Sequence, residues 1–314
     1  MGVSNNGVVQ RSDTIFKKYL LATRPMFLTA SVLPVLLGST IGYQIAGQLD
    51  LLAMVLALVS VMFAHAGINV INDVCDELNG SDRINIDRIT PFTGGSRMIQ
   101  EDILNIEQMR RWGNLLLLFS AVVGVFLVLY KGYPVLVFGI LGLFLGVAYS
   151  APPLKLVSRG IGESTVAVGF GVLPIVGATW LQSGMLSWQA LLLSLPVGIW
   201  VANILLINEV PDVKADCAAG KRTIVVRFGL KHTAVLYLLA NIVAALLLVL
   251  AASLNYLNPL ALSLCFLMLL PAVYVYNAII NWKSKPHMME GAIKFTLTIH
   301  AVNSLWLLSW YITG

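Results

Sequence analysis

Charged residues are scarce in this 314-residue sequence. Asp, Glu, Lys and Arg together make up 11% of the residues, whereas hydrophobic residues make up 58%. An ordinary globular domain carries roughly a quarter charged residues, so a chain of this size lacks the polar surface that a soluble fold exposes. The composition excludes a soluble globular protein and predicts an integral membrane protein.

Cysteine is also scarce, and an apolar leader is missing. The three cysteines, Cys75, Cys217 and Cys265, are isolated and form no CxxC pair, which argues against a disulfide framework and a zinc site. Residues 1–12 are polar and contain no cleavage signal, so no signal peptide is predicted. The basic excess, 20 Lys and Arg against 15 Asp and Glu, lies in loops, where membrane topology explains it better than nucleic-acid binding does.

Long apolar runs fill most of the chain. Each approaches the ~20 residues that a bilayer core requires, and an isolated apolar segment in lipid must satisfy its own backbone hydrogen bonds as a helix. We therefore predict an all-α polytopic membrane protein with nine transmembrane helices around a central cavity. The predicted spans are 27–47, 51–71, 113–130, 134–149, 162–181, 188–208, 233–254, 258–281 and 293–312. Segments 13–24 and 101–111 mix apolar and basic residues and are predicted to be interfacial helices.

Lys and Arg define the predicted orientation. With nine spans and a cytoplasmic N-terminus, every Lys and Arg except Lys131 falls on the cytoplasmic side, as the positive-inside rule requires, and the C-terminus lies outside. We predict a single membrane domain over 1–314, in the cell membrane of a prokaryote. A cytoplasmic tail and interfacial helix occupy 1–26, and half-bundles occupy 27–160 and 161–314, beneath a cytoplasmic cap of short helices and loops.

Two polar stripes stand at the predicted cytoplasmic ends of the second and sixth spans. The first has the i, i+3, i+4, i+7 spacing of one helical face and comprises Asn69, Asn72, Asp73 and Asp76. The second has the spacing i, i+4, i+8 and comprises Asn208, Asp212 and Asp216. Ionisable groups at membrane depth cost from about 3 to well above 10 kcal/mol each. They should therefore face the protein interior or water, with a compensating charge.

A divalent cation is the natural compensation for converging carboxylates. Mg²⁺ binds carboxylate and phosphate oxygens, whereas softer metals prefer His or Cys ligands, which these stripes lack. Basic residues follow each stripe and suit the remaining phosphate charge; they are Arg83, Arg88 and Arg97 after the first, and Lys221 and Arg222 after the second. The alternative is that the acids cap helices and pair with loop arginines. The repeated Asn-x3-Asp spacing on two spans favours a site for Mg²⁺ and a phosphorylated lipid.

These motifs resemble the UbiA superfamily of intramembrane prenyltransferases. Its first aspartate-rich motif is similar to the run from Asn69 to Asp82, and its second to Asp212-x3-Asp216 followed by Gly220-Lys221-Arg222-Thr223. Further matches are Arg24-Pro25, the run from Thr90 to Arg97, and the run from Tyr149 to Glu163. The spacing to Asp82, together with the run from Thr90 to Arg97, is closest to the 1,4-dihydroxy-2-naphthoate polyprenyltransferase group.

The resemblance implies transfer of a polyprenyl group from an allylic prenyl diphosphate to an aromatic acceptor, with Mg²⁺ as cofactor. It implies that the metal ligands and catalytic residues are Asp73, Asp76, Asp212 and Asp216. The diphosphate-binding residues would be Asn69, Asn72, Arg97, Tyr149, Lys155, Asn208, Lys221 and Arg222. The acceptor-side candidates come from the residues themselves. His65 lies one helical turn deeper than Asn69 and either contacts the acceptor, acts as a base or forms a hydrogen bond between helices, and Glu163 either borders the cavity or caps a helix.

Other functions fit parts of this pattern. The acceptor could be 4-hydroxybenzoate, homogentisate or geranylgeranylglyceryl phosphate, or the prenyl chain could be cyclised without an acceptor. A secondary transporter also carries repeats and buried charge, but its site usually lies near the bilayer centre rather than at one face. An alcohol phosphotransferase gathers its acids in one motif, whereas these acids divide between two spans. The expected partners are the substrates and membrane lipids, with no nucleic acid, and the oligomeric state is left open.

Overall fold

A computed structural model describes residues 14–313, and throughout these residues the chain is helical with connecting turns and no strand. Seven helices in this part of the chain are long and apolar enough to cross a membrane. They are α2 (Pro25–Ala46), α3 (Leu51–Asn79), α5 (Ile106–Lys131), α7 (Gly162–Ser183), α8 (Trp188–Ala218), α9 (Ile224–Ser253) and α10 (Pro259–Ile280). The all-α membrane architecture predicted from composition is confirmed.

The remaining helices are shorter or more polar. Helix α6 (Pro134–Ser150) is apolar but has only 17 residues, and α11 (Met288–Thr313) contains Lys294, His300 and Asn303. These two helices occupy the predicted spans 134–149 and 293–312, so the count of nine spans stays a prediction. The short helices are α1 (Ile15–Ala22) and α4 (Ser81–Ile84). Residues 1–13 of the predicted cytoplasmic tail lie outside the described residues.

Helix α3 begins and ends at residues whose chemistry defines its limits. The Asp50 side chain accepts a hydrogen bond from the Ala53 N–H at 2.9 Å, which caps the first turn. Gly80, with φ of 85°, ends the helix in the left-handed conformation that glycine adopts without strain. The helix is therefore eight residues longer than the predicted span 51–71, and the whole first stripe lies on regular helix.

The predicted interfacial helix at 101–111 is wrong in its limits. Residues 101–104 form turns, and α5 begins at Ile106 and continues without a break into the membrane. The reason is a reciprocal cap: the Asn105 side chain accepts from the Gln108 N–H, and the Gln108 side chain accepts from the Asn105 N–H. No proline interrupts α5 after this cap, so the amphipathic turn becomes the first part of the span. The 13–24 segment does form a separate helix, α1.

Helix packing places α2 among helices from later in the chain. It contacts mainly α7 and α11, and the contact with α7 is close because Gly38 approaches the Ile175 carbonyl. The Thr179 hydroxyl also donates to the Gly38 carbonyl at 2.9 Å. The division into half-bundles at residue 160 stays a prediction. A cavity of about 440 Å³ runs among α2, α3, α5, α6, α7 and α8.

Candidate active site

Helices α3 and α8 bring the two predicted motifs to one end of the cavity. Asp76, Asp212 and Asp216 all line it, together with Asn69, Asn72, Asn208, Tyr149 and Lys221. Asp73 lies just behind the cavity surface, where its Oδ2 accepts a hydrogen bond from the Ser96 N–H at 2.8 Å. The stripes predicted from helical spacing therefore face a common space. Contacts at this end of the cavity join distant parts of the chain: Asn85 contacts Asp212, 127 residues away in sequence.

The loop between α4 and α5 links the two motifs. Asn85 donates to Asp212 Oδ1 at 2.7 Å, and the Gly94 N–H donates to Asp212 Oδ2 at 3.3 Å. Two residues further on, the Ser96 N–H binds Asp73 on the other motif. The loop thus holds a carboxylate of α3 and a carboxylate of α8 within one short stretch of backbone.

Lys221 is the cation at the centre of the site. Its Nζ lies 2.7 Å from Asp76 Oδ1 and 3.2 Å from Asp216 Oδ1, so it joins α3 to α8. Burial alone would lower the pKa of Lys221, but Asp76 and Asp216 outweigh it and raise that pKa above its ordinary value. The ammonium group is therefore fully charged at neutral pH.

Asp82, which sequence reasoning left without a role, joins this cluster. A Cβ on Gly95 would lie 2.6 Å from Asp82 Oδ2 and 3.1 Å from Asp73 Oδ1, so both carboxylates flank the Gly95 backbone. Burial, reinforced by Asp76 and Asp73, raises the pKa of Asp82 to about 8. Burial is the main cause of this shift and the neighbouring carboxylates add to it, so Asp82 belongs to a buried acidic cluster.

Two buried carboxylate oxygens without hydrogen-bond partners in the described part of the chain indicate whether this cluster could bind Mg²⁺. Asp73 Oδ1 and Asp82 Oδ2 are buried and have no hydrogen-bond partner among residues 14–313. Within the same part of the chain, no three His, Cys, Asp or Glu side chains converge as a ready-made metal cage. Mg²⁺ rarely uses such a cage, because it retains water and binds one or two carboxylates together with substrate phosphates. The all-oxygen donors and the two carboxylate oxygens unpartnered in residues 14–313 fit such an ion.

Arg24 lines the cavity, although the sequence indicated only that Arg24-Pro25 resembles a family motif before the first span. Its Nη1 lies 3.9 Å from Asp73 Oδ1, and its Nη2 donates to the Phe92 carbonyl at 3.0 Å. Its guanidinium also packs on the Phe27 ring at 4.8 Å. The conformation is left-handed, with φ of 55°, which turns the side chain toward the loop that links the motifs. The Arg-Pro pair before the first span was the only signal for it.

Three predicted phosphate-binding residues lie outside the cavity lining. Lys155 and Arg222 are exposed at the surface, and Arg97 donates to the Asp82 carbonyl at 2.5 Å. Their predicted roles are untested, and the geometry gives Arg97 a part in shaping the Asp82 turn. Asn69 and Asn72 line the cavity while their side-chain amides donate to the Thr23 carbonyl and the Ser150 hydroxyl.

Glu163 is buried next to Glu209, a carboxyl that was not included in the predicted second stripe. Glu209 lines the cavity one turn before Asp212 and lies within hydrogen-bonding reach of Glu163. None of the four carboxyl oxygens meets a donor in hydrogen-bond geometry in the described part of the chain. The i, i+3 spacing from Glu209 to Asp212 was the available signal.

The other end of the cavity is apolar. Its walls include Val61, Phe138, Leu143, Leu173 and Leu181. Gly139 and Gly142 also line it, and a Cβ on either would meet no atom within 4 Å, so these glycines widen the cavity rather than pack helices together. Val125, Leu136 and Ile140 line the cavity and are 54%, 48% and 57% exposed. The cavity therefore opens sideways between α5 and α6.

Comparisons with known proteins agree with this arrangement. The sequence profile of the UbiA prenyltransferase family matches residues 31–293. The 2-carboxy-1,4-naphthoquinone phytyltransferase of Synechocystis is 32% identical over 217 residues, which cover 68% of this chain and 67% of that protein. The 1,4-dihydroxy-2-naphthoate octaprenyltransferase of Haemophilus influenzae is 27% identical over 303 residues, covering 93% and 96%.

Solved structures show the same fold. A UbiA homologue from Archaeoglobus fulgidus, determined with GPP and Mg²⁺ bound, superposes with a TM-score of 0.65 at 16% identity, over 93% of this chain and 99% of that one. The ligand-free homologue from Aeropyrum pernix gives a TM-score of 0.62 at 15% identity, over 88% and 97%. The family profile covers most of the chain, and the apolar helices place it in a membrane. This chain is therefore an integral membrane prenyltransferase of the UbiA family.

Proposed function

We propose that this enzyme transfers a polyprenyl group from an allylic prenyl diphosphate to 1,4-dihydroxy-2-naphthoate, in a Mg²⁺-dependent reaction that releases diphosphate. One observation carries the proposal: two carboxylate motifs on distant helices meet at one end of a cavity whose other end is apolar and open to lipid. A molecule with an anionic head and a long hydrocarbon tail has the same division of polarity.

The polar end suits a metal-bound diphosphate. Asp73, Asp76, Asp82, Asp212 and Asp216 would hold Mg²⁺, and Arg24 and Lys221 are the cations next to them. Bound Mg²⁺ supplies positive charge that stabilises the departing diphosphate. Lys221 adds a donor already fixed between two helices, so little reorganisation is needed as charge develops on the leaving group.

The apolar end suits the prenyl tail. Its walls hold hydrocarbon and exclude the water that would otherwise capture an allylic cation. The side opening between α5 and α6 gives a tail longer than the cavity a route into lipid. The acceptor ring would then lie beside C1 of the prenyl group, between the carboxylates and the tail.

The choice of acceptor rests on the relatives. Curated relatives named as naphthoate or naphthoquinone prenyltransferases include one from Synechocystis and one from Haemophilus influenzae. The acid spacing from Asp76 to Asp82 and the run from Thr90 to Arg97 led to the same choice. We also propose that the site faces the cytoplasm, because the predicted nine-span topology leaves Lys131 as the one Lys or Arg on the opposite side, as the positive-inside rule favours.

Substitution of the two motifs tests the proposal. Asp76→Asn and Asp212→Asn each remove a charge from the cluster, and we expect the rate of prenylated product formation to fall roughly 100-fold or more. Asp87→Asn is the matched control, because Asp87 pairs with Lys214 at 2.7 Å outside the cavity lining. The protein would be purified into lipid nanodiscs and supplied with Mg²⁺ and labelled prenyl diphosphates of several lengths.

The acceptor panel separates the remaining alternatives. It includes 1,4-dihydroxy-2-naphthoate, 4-hydroxybenzoate, homogentisate and geranylgeranylglyceryl phosphate. Preferential use of an acceptor other than the naphthoate would overturn the choice of substrate. Diphosphate release without a prenylated acceptor would indicate cyclisation instead. Near-normal turnover in both Asp→Asn variants would remove the role proposed for the carboxylate cluster.

A further inference from the structure

A serine and a histidine form a buried pair in the cavity wall, away from the carboxylates. Ser31 on α2 and His65 on α3 are 0% and 5% exposed, and Ser31 Oγ lies 2.6 Å from His65 Nδ1. His65 lines the cavity, whereas Ser31 lies behind it. The hydrogen bond therefore fixes the imidazole ring from the side opposite the cavity.

The hydrogen bonds around Ser31 favour one tautomer of His65. Ser31 makes no other side-chain hydrogen bond within residues 14–313, so its single hydroxyl proton is satisfied only by donation to His65 Nδ1. In a neutral imidazole the other nitrogen, Nε2, then carries the hydrogen. The hydrogen bond of His65 in the described residues is made by Nδ1, and His65 lines the cavity, so Nε2–H is left for a ligand there.

An aromatic ring lies beside this N–H. Phe170 lines the same cavity, and its ring centroid is 4.4 Å from that of His65, at an interplanar angle of 45°. Phe170 belongs to a π-helical segment of α7, Ala167–Val172. Such segments are rare and often occur at functional sites, where they redirect a side chain. The pair of rings forms one corner of the cavity.

The depth of His65 distinguishes it from the diphosphate site. It lies one helical turn, about 6 Å, deeper than Asn69 on α3. A hydrocarbon tail covering the Nε2–H would leave a buried donor unpaired, which is unfavourable. A ligand with an oxygen at this depth would pair it, and a flat ring next to that oxygen could stack on Phe170.

From this geometry we propose that His65 binds the aromatic acceptor by donating its Nε2–H to a ring hydroxyl or hydroxylate oxygen. Phe170 contacts the face of the acceptor ring, and Ser31 is a positioning residue that keeps the imidazole in the donating tautomer. The proposal rests on the proposed prenyl transfer and assigns the acceptor subsite within it.

Steady-state kinetics with separate variation of the two substrates tests this assignment. We expect His65→Phe to raise the KM for the acceptor by about tenfold or more while the KM for the prenyl diphosphate changes less than twofold. His65→Gln, whose amide can place an N–H near the same point, should recover most of the loss. Wild-type enzyme should lose a similar factor on an acceptor analogue that lacks the bonded hydroxyl, and His65→Phe should lose little further.

Ser31→Ala tests the positioning role against a matched control. Ser39 lies two turns along the same helix, is equally buried, and its hydroxyl has no partner in the described chain. We expect Ser31→Ala to raise the acceptor KM several-fold and Ser39→Ala to leave it unchanged. Equal effects of the two substitutions would show that only packing was changed, and would overturn the role of Ser31.

Two outcomes separate this inference from the proposed function. If wild-type enzyme makes the prenylated product and His65→Phe keeps both KM values, the acceptor subsite is wrong and the proposed function survives. If wild-type enzyme prenylates no aromatic acceptor, the proposed function fails and the acceptor subsite fails with it.

Discussion

Gly95 offers a direct test of the carboxylate cluster. A methyl group added there would lie 2.6 Å from Asp82 Oδ2 and 3.1 Å from Asp73 Oδ1. Non-bonded heavy atoms settle at about 3.5 Å, so Gly95→Ala must displace the Asp82 carboxylate by nearly 1 Å. The φ of 72° at Gly95 adds strain of about 1–2 kcal/mol for any residue with a Cβ.

Gly80→Ala separates the strain from the contact. Gly80 has a φ of 85°, but a Cβ there would meet no atom within 4 Å. Both substitutions should therefore lower the apparent melting temperature through this strain, and Gly95→Ala should lower it further because it also displaces the Asp82 carboxylate. Only Gly95→Ala should change catalysis, because a displacement of about 1 Å in a charged site can cost roughly 100-fold in rate.

The assay follows diphosphate release against Mg²⁺ concentration, together with thermal unfolding monitored by tryptophan fluorescence in nanodiscs. For Gly95→Ala we expect a lower maximal rate and a requirement for at least tenfold more Mg²⁺, since the displaced carboxylates flank the proposed metal position. Wild-type Mg²⁺ dependence in Gly95→Ala would refute the placement of Asp73 and Asp82 at the metal. Equal loss of activity in Gly80→Ala and Gly95→Ala would show that backbone strain alone is responsible.

Two further predictions concern the tail channel and the opposite face. Gly142→Leu would fill open cavity space. Activity with long prenyl diphosphates should therefore fall at least tenfold, while activity with geranyl diphosphate changes little. Uniform activity across chain lengths would contradict this prediction. Burial alone would raise the pKa of Asp50, but hydrogen bonds from Lys131, Ala53 and Tyr130 outweigh it and lower the pKa. The stability from ionised Asp50 is therefore present above its unfolded pKa of 3.8 and is lost as pH falls through the lower folded value. Asp50→Asn should flatten this acid limb of the melting temperature, and an unchanged limb would refute it.

Helical spacing was sufficient to predict the stripes but not their surroundings. Asp73 and Asp76 share a face because of local periodicity, which any sequence displays directly. Asn85 and Gly94 lie in a loop whose path depends on docking against α8, and no pattern within the loop encodes that contact. Their roles became visible only in the folded chain.

The same distinction explains the residues that were missed or left open. Glu209 lies within the second motif in sequence and Arg24 precedes the first span, yet only the folded structure shows that both line the cavity. Asp82 follows the first stripe across Gly80, where the helix ends, so periodicity could not be extended to it. The 101–111 segment was predicted as a separate interfacial helix because its charged residues hid its continuity with the following span.

The loop that holds both carboxylate motifs has a consequence for biosynthesis. Asn85 and Gly94 lie 127 and 118 residues from their common partner, Asp212. At a synthesis rate of about 5–20 residues per second, these loop residues are made roughly 6–25 s before Asp212. During that interval the first aspartates are already made but lack half of their enclosure. The reaction centre therefore matures late, and a ribosome that stalls before the sixth predicted span leaves an acidic helix end that a chaperone or protease could recognise as unfinished.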